Sequence, residues 1–80
     1  LRTPDLIEVD MLDDVFGPLI RYGAGDLRVA IVLQQALGSL ASEGGSLGRA
    51  AALLGKEALK RSFAAMASSQ DRARLKAIIP

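Results

Sequence analysis

The stretch DLRVAIVLQQALGSLASEGG, residues 26–45, decides the fold. Ala30, Leu33, Leu37, Leu40 and Ala41 recur at spacings of three and four, with Val29, Val32 and Ala36 beside them, which is the pattern of a helix with a wide apolar face. Asp26 stands where a carboxylate can accept from the first free amides of that helix. Gly44-Gly45 ends the periodic run. A face this wide predicts a central helix, apolar over more than half its circumference. Gln34 and Gln35 interrupt the face. A buried amide must meet its hydrogen bonds, so the pair either bonds to another helix or another subunit, or faces solvent. Gly38 removes a side chain and permits close approach, to a partner or to a third helix at Gly55.

Upstream of this stretch, Gly23-Ala24-Gly25 reads as a tight turn that needs positive φ. Before it, Asp10 is placed to cap a first helix from about Met11 to Tyr22, with Asp13 and Asp14 in the first turn at the positive end of the dipole. Pro18 lacks an amide donor and crowds the carbonyl of Asp14, which predicts a kink or a restart at Gly17-Pro18. Residues 1–9 contain Pro4 and an Ile7/Val9 alternation and are expected to form an extended lead-in or linker. Residues 10–80 are expected to form a single helical domain. Downstream, Ser46 is placed to cap a third helix over Leu47 to about Ala67, with Leu47, Ala51, Leu54, Ala58, Leu59, Phe63 and Met66 as its stripe. Ser68 with Asp71 three residues on opens a short fourth helix through Leu75, Ile78 and Ile79. The fold class is therefore all-α, a small bundle of about four helices.

Composition agrees. Of 80 residues, 13 are Leu and 13 are Ala, both strong helix formers, while only two Phe and one Tyr represent the aromatics. A chain this short buries only about 60–65% of the surface it exposes when unfolded, so its core is thin. The net charge of +1 gives no overall pull toward nucleic acid. Its distribution is uneven: residues 1–26 carry six acids and two bases, and residues 49–80 carry seven bases and two acids. The absence of cysteine and histidine removes disulfides, thiolate metal sites, the commonest zinc ligand and the commonest general base. The longest apolar run, Val29 to Leu33, is far short of the roughly 20 residues that cross a bilayer, so the chain reads as soluble. Its first residue, a leucine, suggests a piece of a longer protein.

The chemical motifs fail on inspection. Gly23-Ala24-Gly25-Asp26 begins like a dinucleotide fingerprint but lacks the third glycine and follows a helix where that fingerprint needs a strand. Gly48 to Gly55-Lys56 has six residues between its glycines where a phosphate-binding loop has four. Asp10, Asp13 and Asp14 are explained by the helix dipole without a metal. Residues 46–55 resemble the first helix and turn of a helix-turn-helix, with Ala51 four before Gly55, and a recognition helix would follow to about residue 63. Lys56, Lys60 and Arg61 then become candidate phosphate contacts. The apolar stripe passes through Gly55 without a phase break, which favours one continuous helix.

Asp13-Asp14-Val15-Phe16, then Pro18, Gly23-Ala24-Gly25, Leu33-Gln34-Gln35-Ala36-Leu37, Leu40-Ala41 and Asp71-Arg72-Ala73-Arg74-Leu75 together resemble the C-terminal soluble region of a bacterial predicted membrane-protein family of unknown function. The resemblance covers residues 10–43 closely and the rest loosely. It implies that transmembrane helices precede this region and that it lies on the cytoplasmic face of the inner membrane. It carries no activity with it.

The expected function is a non-catalytic helical interaction or assembly module that needs no cofactor and binds no metal. Its expected partner is a second copy or another protein, through the helix that holds Gln34, Gln35 and Gly38. Two alternatives stand behind it: a DNA-binding domain using residues 46–63, and a small-ligand regulatory domain.

Overall fold

A computed structural model describes residues 6–78, and every structural statement below concerns these. They form four helices and no strand: α1 Leu6–Tyr22, α2 Leu27–Ser42, α3 Gly45–Ala65 and α4 Ser69–Ala77. The all-α bundle expected from periodicity is what the chain adopts.

The start of α1 corrects the expected lead-in. Leu6 to Val9 are helical, and Asp10 sits exposed inside the helix rather than capping it. The reason is periodic: Val9 packs with Leu12, Phe16 and Ile20 on the core side of α1, continuing the spacing of three and four back beyond Met11. Residues 1–5 of the expected lead-in, and Ile79, lie outside the described residues. The helix runs through Pro18 without a break. Gly17 makes room beside it for the ion pair of Arg21 and Asp13, 3.7 Å apart; a Cβ at position 17 would stand 2.9 Å from an Arg21 guanidinium nitrogen.

The Gly23-Ala24-Gly25 turn also forms for a different reason than expected. Neither glycine has positive φ. Gly23 is small because α1 and α2 meet there: a Cβ would lie 2.7 Å from Val29 Cγ1 and 3.0 Å from the Leu19 carbonyl. Asp26 caps α2, accepting from the Arg28 amide at 2.9 Å. At the other end Gly44 and Gly45 take φ of 78° and 70°, a left-handed pair that turns the chain directly into α3. The expected Ser46 cap is displaced, because Gly44 already occupies the N-cap and no side chain serves there. α3 stops at Ala65, two residues before the expected end, and Met66 turns extended and buries its side chain. Ser68 caps α4 as expected, accepting from the Asp71 amide at 3.3 Å.

Leu33 and Leu37 of α2, each 1% exposed, lie in the main core with Leu12 and Ile20 of α1 and Ala50, Ala51, Leu54 and Ala58 of α3. The alanines let α3 run close along α2. Of the α2 and α3 glycines, Gly48 is the one most closely approached: a Cβ there would lie 3.0 Å from the Ala41 carbonyl oxygen. A second cluster of Ala30, Met66 and Leu75 pins α4 to α2. α2 is thus the central helix.

Candidate interaction surfaces

The α2 candidates lie where α2 and α3 face each other. Gln34 Nε2 donates to the Gly55 carbonyl of α3 at 3.0 Å, so the expected interhelical bond is satisfied within the chain. Gln35 is exposed. Gly38 is also exposed, and a Cβ there would meet nothing within 4 Å, so it makes no close crossing with α3. Gln34, Gly38, Gly55 and Lys56 edge a groove of about 250 Å³ floored by Leu37 and Ala51. The apolar surplus expected on α2 is largely absorbed: α3, longer than α2, runs along one side, while α1 and α4 take others. Val32, at 57%, is the one large side chain of α2 among the exposed hydrophobics.

The basic candidates lie on α3. Residues 46–63 belong to one uninterrupted helix with no turn at Gly55, so no separate recognition helix is present. Arg61 is held by Glu57 four residues earlier, at 3.1 Å. Lys56 and Lys60 share the outward face with Arg49 and the half-exposed Leu53. Between the end of α3 and α4, Phe63, Ser69, Arg72, Ala73 and Lys76 line a shallow cleft of about 550 Å³, open to solvent. The acidic candidates do not converge: Asp13 is taken by Arg21, and no cluster of three or more metal-ligating side chains occurs among the described residues.

The largest uncovered apolar surface is on α1, which the sequence reading did not single out. Ile7, Met11, Val15, Leu19 and Tyr22 are 72%, 54%, 67%, 43% and 86% exposed. They follow one another at steps of four, four, four and three, so they form a single stripe along the whole helix, beside the face that packs on the core. Asp10, Asp14 and Arg21 border it on the solvent side. The signal was available in the spacing of Ile7, Met11, Val15 and Leu19. It was hidden because a helix taken to begin at Met11 loses the stripe's first member, and because the core stripe of Val9, Leu12, Phe16 and Ile20 lies directly alongside.

Near the α1–α2 turn, Asp26 has a carboxyl held below the ordinary carboxylate range, chiefly by the hydrogen bond from the Arg28 amide and also by the Arg28 charge. This is the electrostatics of a cap and leaves no reactive group.

No family model, no curated protein and no solved structure matches the chain.

Proposed function

We propose that this chain is a non-catalytic helical interaction and assembly module of a bacterial membrane protein, serving on the cytoplasmic side of the membrane. The observation that carries the interaction role is the α1 stripe. Five large apolar side chains stay in water along one helix, in a chain that buries its other stripes efficiently. Contiguous exposed apolar surface on that scale is the mark of an interface. The absence of histidine and cysteine argues against the commonest catalytic and metal chemistry. The membrane setting rests on the family resemblance of residues 10–43. No helix among the described residues is long and apolar enough to cross a membrane, so in this reading the spanning segments belong elsewhere in the protein.

The test is a photo-activated crosslinking residue placed at Val15, and separately at Ala64 on the outer side of α3, in bacterial cells making the protein. A protein adduct at Val15 that is absent at Ala64 supports the reading. An absence of any adduct at Val15 sinks it. The DNA-binding alternative has its remaining support in Lys56 and Lys60, exposed on α3 without an ion-pair partner among the described residues. Retention on duplex DNA that weakens steeply with salt would turn the assignment that way.

A further inference from the structure

We infer that the α1 stripe is occupied by the α1 stripe of a second copy of this chain, the two helices running antiparallel about a two-fold axis near Val15. The inference rests on the interaction reading of the stripe and names its partner.

Three observations select a second copy in this orientation. The first is area. Ile7, Met11, Val15, Leu19 and Tyr22, between 43% and 86% exposed, offer on the order of 600 Å² per copy, approaching the roughly 800 Å² per partner of a standard interface.

The second is charge. At 100° per residue, positions 10, 14 and 21 fall within about 40° of one another. Asp10, Asp14 and Arg21 therefore share one border of the stripe, acidic toward the N-terminal half and basic at the C-terminal end. When two identical helices pair antiparallel, each border meets its own counterpart running the other way. With the axis near Val15, Arg21 of the second copy comes beside Asp10, and the symmetry makes this contact twice. The same axis brings the two Asp14 carboxylates near each other once, so the border carries two opposite-charge contacts against one like-charge contact. Arg21 already pairs with Asp13 at 3.7 Å, both side chains half-exposed, and its guanidinium has further donors to offer a second carboxylate.

The third is register. The same axis sets Val15 against Val15, Met11 against Leu19 and Ile7 against Tyr22, so the whole stripe is covered at once. The antiparallel arrangement also opposes the two helix dipoles. The contact is self-complementary and closes at two copies.

The experiment is sedimentation equilibrium of the 80-residue chain, followed by native mass spectrometry of mixed variants. The wild type should dimerise, and Val15→Lys should be monomeric with unchanged helicity by circular dichroism. Asp10→Arg places two arginines at each symmetric contact and Arg21→Asp places two aspartates there, so each variant alone should dimerise ~10-fold or more weakly. Mixed together they should recover, because every contact in the mixed dimer then pairs Arg with Asp. Heterodimer well above its statistical share is the expected result, and it needs both variants to be folded.

A wild type that stays monomeric at ~100 μM, or a mixture with only the statistical share of heterodimer, overturns the inference. Crosslinking at Val15 separates the two levels of failure. An adduct with a different protein, together with a monomeric wild type, ends the second-copy inference and leaves the interaction role standing. No adduct at all ends both.

Discussion

α1 and α2 are nearly equal in length, 17 and 16 residues, and both carry apolar side chains over much of their circumference. Their fates differ. α2 buries Ala30, Leu33 and Leu37, half-buries six apolar neighbours and leaves Val32 in the open, whereas α1 buries Leu12 and Ile20 and leaves a full stripe in water. The width of an apolar face therefore does not set how much of it is exposed. Position does: α2 has α1, α3 and α4 around it, and α1 lies at the edge of the bundle. Among the described residues there are not enough helices to cover both.

The largest effect that tests this contrast is a pair of truncations. Leu33→Ala should cost roughly 2–5 kcal/mol in urea unfolding, because it opens a cavity in the main core. Val15→Ala, measured where the chain is monomeric, should stay within about 0.5 kcal/mol, the range of surface sites. If Leu33→Ala costs less than about 1 kcal/mol, α2 is not the central helix and the comparison fails.

The glycines sharpen it further. Gly48→Ala brings a Cβ to 3.0 Å from the Ala41 carbonyl oxygen, and backbone cannot step aside as a side-chain tip can. It should destabilise by about 1–3 kcal/mol. Gly38→Ala meets open space in the interior of α2. It should stabilise by about 0.5–1 kcal/mol through helix propensity alone. Equal effects of the two changes would mean that α2 and α3 do not approach each other at Gly48.

These same residues show where sequence was enough and where it was not. The span of α2, the Asp26 and Ser68 caps, the burial of Leu33 and the continuity of α3 through Gly55 were all legible, because each depends on spacing or on a local hydrogen bond. Which of Gly38, Gly48 and Gly55 marks the close crossing was not, because that depends on the height at which α3 passes α2. The reason for Gly23 was missed likewise: its constraint is Val29, six residues ahead and across a turn. For Gln34 the choice between solvent and another helix needed the position of the Gly55 carbonyl. The α1 stripe was the costliest omission, since exposure is a property of the neighbours a helix lacks.

Gln34 gives a smaller test of the α2 side. Gln34→Ala removes the 3.0 Å bond to the Gly55 carbonyl, and because the site is only partly buried the loss should be about 0.5–1.5 kcal/mol. Gln35→Ala, on the exposed side, should change stability by less than about 0.5 kcal/mol. Equal losses would mean that Gln34 spends its amide on solvent as Gln35 does.

The smallest expected effect lies at the turn that joins the two helices. Asp26 titrates lower in the folded chain than its ordinary value of 3.8, because the Arg28 amide bonds to the carboxylate. A group whose pKa is depressed by folding stabilises the fold in full above its unfolded pKa, and that contribution is lost as pH falls through the folded value. Asn caps a helix about as well as Asp but does not titrate. Melting temperatures of the wild type and Asp26→Asn should therefore differ most near neutrality, with the wild type higher, and the gap should narrow as pH drops below 3.8. The shift should be small, since the carboxylate is solvent-exposed and water screens its charge. A gap that stays constant across that range would mean that the cap acts only as a neutral acceptor, and that the link between α1 and α2 owes nothing to the charge of Asp26.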